Sequence, residues 1–188
     1  MKISKLLVAN RGEIAVRIFK TCKEMGIATV AVFSDADENA LFVKLADEAV
    51  RIGGKQPAES YLIMDKIIDA AKRTGANAIH PGYGFLSERT EFAKRCNDEG
   101  IIWVGPHPQA IEVMGSKIGA KKIMQSHNVP TIPGYQGDDQ SEATIKSKAI
   151  EIGFPVLLKA SAGGGGKGMR NVRRESELDK AINEAKSE

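Results

Sequence analysis

A glycine run between two lysines is the part of this sequence best suited to bind a charged ligand. Gly163–Gly166 lies between Lys159 and Lys167, and strand-like segments at 154–158 and 169–173 flank it. Backbone N–H groups without side chains can approach a phosphate closely, and the lysines supply positive charge. Linkers between domains usually mix serine with glycine, so a flexible linker explains the pattern less well. The run predicts a mobile hairpin that acts as the lid of a nucleoside triphosphate site.

A further lysine suits the same ligand. Lys117 lies at the start of a helix predicted over 116–126, where the helix dipole disfavours a cation unless an anion neutralises it. Taken alone, Lys117 reads as a solvated surface lysine. Together with Lys159 and the glycine run, it gives the point charges and backbone donors that a triphosphate requires.

A second candidate loop follows a predicted strand. His80–Glu88 begins where that strand ends, and open α/β sheets bind ligands at the carboxyl ends of their strands. Gly82 and Gly84 leave the backbone accessible, and Tyr83 can stack on a flat ring. The spacing leaves two interpretations open, a ligand-binding loop or a structural turn before a helix, and His80 by itself is more typical of a hydrogen-bonded residue than of a catalyst.

The turn after the first strand does not fit a dinucleotide site. Asn10–Glu13 contains one glycine and ends in an acidic residue. A dinucleotide-binding turn needs three glycines and a phosphate at the helix N-terminus, which Glu13 would repel. The turn is therefore predicted to be structural.

Strand and helix patterns alternate over the first 115 residues, which predicts an α/β fold with a parallel sheet and helices on both faces. The predicted strands are 5–10, 28–33, 48–52, 78–80 and 101–104, and the helices are 13–25, 42–46, 60–74 and 88–98. The predicted buried stripe of the first helix consists of Ile14, Ile18, Cys22 and Met25. In the helix predicted over 60–74, Ser60 is the predicted N-cap and Gly75 ends the helix.

The pattern changes after Pro106. Helices are predicted over 108–114, 116–126 and 141–152, with a turn-rich segment over 129–140, then the hairpin and a helix from 176. One hairpin with so few helices offers too little sheet for a complete domain. We therefore expect a first domain over 1–115 and the opening of a second over 116–188, in the N-terminal part of a longer polypeptide.

Composition excludes several classes of protein. A net charge of +3 gives no case for nucleic acid as the main partner. No apolar run approaches the length of a membrane span, and no signal peptide precedes the first strand, so a cytoplasmic location without membrane contact is expected. Cys22 and Cys96 lie in helical patterns and are expected to be reduced, partly buried thiols.

Five motifs in register resemble those of biotin carboxylase, the ATP-grasp component of acetyl-CoA, propionyl-CoA, methylcrotonyl-CoA and pyruvate carboxylases. They are Ala9–Ala15, Ser34–Asp37, Ala46–Ala49, His80–Glu88 and Lys159–Arg170. The resemblance covers essentially the whole chain. It implies a Rossmann-like pre-ATP-grasp domain over 1–115 and the incomplete start of an ATP-grasp domain over 116–188, with a lid subdomain that begins near residue 131.

The resemblance also implies roles for individual residues. The implied ATP ligands are Lys117, Lys159, Gly164, Gly165, Gly166 and Met169. Tyr83 and Gly84 match a loop that faces the biotin pocket, and Lys20 and Glu24 match a helix that forms a dimer contact. The family's magnesium carboxylates, bicarbonate-binding arginine and catalytic glutamate correspond to positions beyond residue 188, so we assign no catalytic residue and no metal ligand here.

The activity implied by the resemblance is carboxylation of biotin on a carrier protein, with MgATP and bicarbonate as co-substrates and carboxyphosphate as intermediate. The implied partners are a biotin carboxyl carrier, a carboxyltransferase and a second copy of the chain. The isolated chain is expected to be inactive. Two alternatives stay open: another ATP-grasp ligase, similar to the large subunit of carbamoyl phosphate synthetase, and a non-catalytic dimerisation module.

Overall fold

The computed structural model describes residues 2–115, 117–135, 137–159 and 169–186, and of 117, 118 and 186 it describes the backbone only. The chain forms two compact units that divide between Ala120 and Lys121. The domain boundary expected after residue 115 stays a prediction. Among the helices described, we find none with the length and apolar character needed to cross a membrane.

The first unit is built on a parallel sheet of five strands. In chain order these are β1 (Lys5–Val8), β2 (Ala28–Ser34), β3 (Glu48–Gly53), β4 (Ala78–His80) and β5 (Ile102–Trp103). Their order across the sheet is β3-β2-β1-β4-β5, and every neighbouring pair is parallel. The predicted parallel sheet is confirmed. The strand order reverses between β1 and β4, so the ends of these two strands form the switch point at which such sheets bind ligands.

The helices of the first unit connect these strands. They are α1 (Gly12–Glu24), α2 (Leu41–Leu45), α3 (Met64–Thr74), α4 (Thr90–Asp98) and α5 (Pro108–Gly115), with a 3₁₀ turn at Pro57–Glu59. The helix α6 (Lys117–Ser126) contains the division between the two units.

Side chains alternate between two apolar clusters, one on each face of the sheet. Leu7 and Ile79 belong to the cluster that includes buried residues of α3 and α4, whereas the adjacent Leu6 and Ala78 belong to the cluster that includes residues of α1 and α2. Successive residues of a strand point to opposite faces. Both faces of the sheet are therefore covered by helices, as predicted, and both cysteines are buried and free.

Two details of the predicted helices are wrong. The buried residues of α1 are Ala15, Phe19 and Cys22, while Met25 is 68% exposed because it caps the end of the helix beyond the packed stripe. Ser60 does not cap α3, which begins at Met64.

The serine is displaced because Pro57 begins a 3₁₀ turn just before it. Ser60 is buried after this turn, and its hydroxyl donates to the carbonyl of Gln56 at 2.8 Å. Gly75 does end α3, in the left-handed conformation that glycine adopts without strain. Because of this turn, α3 begins later in the chain than predicted, and Tyr61, which follows the turn, packs in the core.

The second unit contains a two-stranded hairpin and helices. The helix α7 spans Glu142–Ile152, the strands β6 and β7 span Val156–Lys159 and Met169–Val172, and α8 spans Leu178–Lys186 after a 3₁₀ turn at Glu175–Glu177. The Ser141 hydroxyl accepts a hydrogen bond from the Thr144 amide and caps α7.

The hairpin is antiparallel, with Val156 opposite Val172 and Lys159 opposite Met169. Val156 and Leu158 pack against a cluster that includes Ala149 of α7 and Ile182 of α8. The alternate positions of β6 therefore lie on the other, open face of the hairpin.

Candidate functional site

Asn10 joins the turn after β1 to the loop after β4. Its side chain is buried, and Nδ2 donates to the carbonyl oxygens of Pro81 at 2.8 Å and Tyr83 at 2.7 Å. Its Oδ1 accepts the amide of Arg11 at 2.9 Å. The turn after β1 thus also holds the loop after β4, through a contact of Asn10 that was not predicted from the sequence. An asparagine directly after an apolar strand pattern was the available signal, because an amide that becomes buried there must find partners.

Gly82 is required by this contact. Its φ of +65° is left-handed, and a Cβ at this position would lie 2.7 Å from Nδ2 of Asn10. The Gly82 amide donates to Nδ1 of His80 at 3.0 Å. That nitrogen is therefore an unprotonated acceptor, and burial lowers the pKa of His80. The geometry supports a structural role for His80, with the ring neutral.

Tyr83 and Gly84 lie exposed at the carboxyl end of β4, beside the switch point. The Tyr83 side chain is 61% exposed, and its hydroxyl donates to a carboxylate oxygen of Glu13 in the first turn of α1. This hydrogen bond and the negative charge of Glu13 raise the pKa of Tyr83. The ring is thus held by its hydroxyl, and the phenol stays protonated at neutral pH.

Asp37 contacts three side chains close to the loop that follows β4. Its Oδ2 accepts from the hydroxyls of Ser34 at 2.8 Å and Tyr61 at 2.7 Å, and Nη1 of Arg11 lies 3.4 Å away. The pKa of Asp37 lies below its usual value. Burial alone would raise this pKa, but the hydrogen bonds from Tyr61 and Ser34 and the charge of Arg11 together outweigh that effect and lower it. No role was predicted for Asp37 from the residue pattern.

Phe85 connects this cluster to the loop. Its ring stacks on Tyr61 at 5.1 Å between centroids, and the guanidinium of Arg11 lies 5.8 Å from the centroid of each ring. Phe85 has a φ of +44°, unusual for a residue with a side chain. Left-handed backbone costs about 1–2 kcal/mol for an L-residue, so the packing of the ring must outweigh that cost.

The second unit presents a different surface, the open face of its hairpin. Lys159 and Met169 are cross-strand partners at the end nearest the glycine-rich connection, and Leu157 lies opposite Asn171 one pair further along the same face. All four residues are exposed. A lysine beside a thioether and a leucine suits a ligand that has a phosphate and a flat apolar ring.

For several predicted site residues, the structure describes no side chain. Lys117 begins α6 and is described by its backbone alone, and Gly164, Gly165 and Gly166 lie outside the described residues. Their predicted contacts with ATP stay predictions.

Lys20 and Glu24 are exposed four residues apart on α1, which is compatible with the predicted dimer contact without testing it. Within 2–115, 117–135, 137–159 and 169–186, no group of three or more histidine, cysteine or carboxylate side chains is placed to hold a metal ion.

Comparison with known proteins identifies the family. Residues 2–111, more than half of the chain, match the family described as biotin carboxylase, N-terminal domain. The chain belongs to the biotin carboxylase family. Residues 116–188 match the ATP-binding domain of the carbamoyl-phosphate synthase L chain.

Curated relatives are similar to this chain along its whole length. It is 57% identical over 186 residues to the methylcrotonoyl-CoA carboxylase subunit alpha of Dictyostelium discoideum, covering 99% of this chain and 27% of the relative. It is 54% identical over 188 residues to the biotin carboxylase of Nostoc sp., covering 100% of this chain and 42% of the relative. The chain thus spans about a quarter to two fifths of the length of these curated relatives.

Solved structures agree with this assignment. The biotin carboxylase–beta-gamma-ATP complex of Campylobacter jejuni has a TM-score of 0.90 at 48% identity, covering 100% of this chain and 42% of that one. The biotin carboxylase domain dimer of Hydrogenobacter thermophilus 2-oxoglutarate carboxylase, in complex with MgADP, ADP and bicarbonate, has a TM-score of 0.84 at 49% identity, with the same coverage. The predicted fold class, a Rossmann-like sheet followed by the start of an ATP-grasp domain, is confirmed.

Proposed function

We propose that this chain supplies an ATP-binding hairpin and a biotin-side loop to a biotin carboxylase. The enzyme uses MgATP and bicarbonate to form carboxyphosphate and then carboxylates biotin on a carrier protein. The carboxyl group passes to a final acceptor on a carboxyltransferase, and the enzyme works as a homodimer through α1 with Lys20 and Glu24. Family membership and similarity to carboxylase subunits support this activity.

One observation carries the proposal of ATP binding. Lys159 and Met169 are exposed, directly opposite each other on β6 and β7. Within the described part of the chain, Lys159 has no salt bridge that ligand binding would have to break. Its ammonium group is available for a phosphate, while the flexible thioether of Met169 can pack against a flat ring.

The proposed roles of this chain's residues are to bind and shield the nucleotide. Lys159 offsets phosphate charge, and Lys117 is proposed as the second phosphate contact. Gly164, Gly165 and Gly166 are proposed to cover the phosphates with backbone donors and to exclude water. Exclusion of water matters because carboxyphosphate hydrolyses readily.

The described residues do not fit a magnesium site, because no group of three carboxylates is close enough to hold the ion. In line with the resemblance to biotin carboxylase, we propose that the magnesium ligands and the catalytic base belong to the remaining part of the enzyme. The chain alone is proposed to be inactive for the same reason. A cytoplasmic location is proposed, although relatives include mitochondrial proteins.

On the biotin side, Tyr83 and Gly84 are proposed to face the ring of biotin. Their exposure at the switch point between β1 and β4 supports this role. The stretch after β4 lies in the part of the chain that matches the biotin carboxylase N-terminal domain. This match favours biotin over ammonia as the acceptor.

The deciding experiment is fixation of labelled bicarbonate with MgATP and biotin, by this chain and by the full-length product of its gene. We expect activity that depends on biotin in the full-length protein alone. Fixation that depends on ammonia instead would support a ligase similar to carbamoyl phosphate synthetase. If neither acceptor is used, sedimentation with and without ATP tests the dimerisation module.

A further inference from the structure

We propose that Asp37 is a positioning residue that fixes the loop from His80 to Glu88 and thereby the exposed Tyr83 and Gly84. The inference rests on the proposed function for its consequence in catalysis, since that function makes the loop the biotin side of the site. Its mechanical part concerns only the first unit and stands on the contacts of Asp37.

Asp37 connects three elements of the fold. Ser34 ends β2, Tyr61 follows the 3₁₀ turn, and Arg11 immediately precedes α1. The hydroxyls of Ser34 and Tyr61 both donate to Oδ2 of Asp37, and Arg11 completes the set with its charge. The Tyr61 hydroxyl in turn accepts the buried amide of Ser34 at 3.1 Å. The phenol therefore has a donor and an acceptor, and its ring orientation is fixed.

The fixed Tyr61 ring is the surface on which the loop rests. Phe85 stacks on it with an angle of 17° between the ring planes, and Arg11 packs against both rings. The left-handed backbone of Phe85 needs this support, because a side chain in that conformation is retained only where surrounding packing determines it. Asp37 thus acts on Phe85 through Tyr61 and Arg11.

Tyr83 and Gly84 lie between two anchors. Asn10 holds the carbonyls of Pro81 and Tyr83 on one side, and Phe85 is held on the other. The Tyr83 hydroxyl adds a contact with Glu13. Without the Phe85 anchor, Tyr83 keeps its contacts with Asn10 and Glu13, and Gly84 keeps the hydrogen bond that its carbonyl accepts from the Ser87 amide at 2.9 Å. The next fixed side chain is then Leu86, which is buried in the core. Removal of the Asp37 charge is therefore expected to loosen the loop while leaving the sheet in place.

The test uses the full-length protein with Asp37→Asn, which keeps the side chain's size and removes its charge. The matched control is Asp35→Asn in the same turn, because Asp35 pairs with Arg51 on the surface rather than with this cluster. Tyr61→Phe is the second variant, since it keeps the stacked ring and removes only the hydroxyl. Hydrogen exchange of the peptide over 80–88 and the KM values for biotin and ATP are measured for each.

We expect exchange in the loop to become about tenfold faster in Asp37→Asn, as for a local opening that does not unfold the unit. In Asp37→Asn we expect the KM for biotin to rise about tenfold, because the residues proposed to face the biotin ring are no longer held in position, while the KM for ATP stays unchanged. In the control variant Asp35→Asn, the exchange rate and both KM values should stay unchanged. Tyr61→Phe should shift both quantities in the same direction by less.

Unchanged exchange in folded Asp37→Asn overturns the inference, whatever the enzyme does with biotin. Faster exchange with an unchanged KM for biotin overturns its catalytic part, and equal rises in both KM values indicate a general structural role and overturn it too. If the wild-type protein does not carboxylate biotin, the proposed function fails, and the exchange measurement still decides whether Asp37 positions the loop.

Discussion

Replacement of Lys159 by alanine should weaken ATP binding without disturbing the fold. Lys159 is exposed and makes no salt bridge within the described residues, so its removal breaks no existing ion pair there. Surface substitutions of this kind change stability by at most about 0.5 kcal/mol. Any loss of affinity therefore reports a contact that forms only with the ligand.

The size of the loss follows from the type of contact. A hydrogen bond to a charged group is worth about 1.5–3 kcal/mol, and each 1.4 kcal/mol is tenfold in an equilibrium constant. Lys159→Ala should thus raise the Kd for ATP about 10- to 150-fold. Lys159→Arg should recover part of this loss, because a guanidinium keeps the charge but presents a planar fork instead of a compact ammonium.

The assay is calorimetric titration of the full-length protein with ATP in the presence of magnesium. Lys180→Ala is the matched control, because it removes the same charge from the same unit. The Lys180 side chain of α8 is 84% exposed, and its ion pair with Glu184 is long, at 3.9 Å. An unchanged Kd in Lys159→Ala, or an equal loss in Lys180→Ala, would refute the assignment of Lys159 as a phosphate ligand.

Three further predictions concern the first unit. Gly82→Ala should lower the thermal midpoint by several degrees, because a left-handed L-residue and a disturbed Asn10 contact together cost about 2–3 kcal/mol; a midpoint equal to that of the wild type contradicts this. The pKa of His80 in NMR spectra should lie below the usual histidine value of 6.5, and its contribution to stability, present above pH 6.5, should be lost as the pH falls below it because the unfolded state binds the proton more readily; a pKa at or above 6.5 contradicts the burial argument. Cys96, whose pKa burial raises to about 12, should be alkylated at pH 8 only after unfolding, as mass spectrometry can show, and rapid labelling of the native protein would oppose this.

Periodicity alone predicted most of the first unit's architecture. Apolar runs such as Leu6–Val8 are typical of strands buried on both faces, and the structure places alternate residues in two separate clusters. The end of α3 at Gly75 was also predictable, because the left-handed conformation selects glycine locally. The start of α3 was not, since Ser60 has the residue type of a cap but directly follows a 3₁₀ turn and donates its hydroxyl back to Gln56.

The face proposed to bind the nucleotide was partly predictable for the same reason. Strand alternation places Lys159 and Leu157 on one side of β6, and the glycine run marks where the hairpin connects. The register that puts Met169 opposite Lys159 follows from the pairing of Val156 with Val172 over the buried face. Such a register is a property of two strands together.

For the loop proposed to face biotin, the sequence and the structure contribute differently. The sequence by itself determined the residue types of the loop and the family to which its motifs belong, whereas the exposure of Tyr83 and Gly84 came from the structure. Only the tertiary structure decided that Asn10 holds this loop and that Asp37 contacts Tyr61, on which Phe85 of the loop stacks, because these partners come from other strands and turns. Asp37 and Tyr61 are 24 residues apart, and Asn10 and Tyr83 are 73 residues apart. Contacts across such separations depend on strand order in the sheet, which no local pattern encodes.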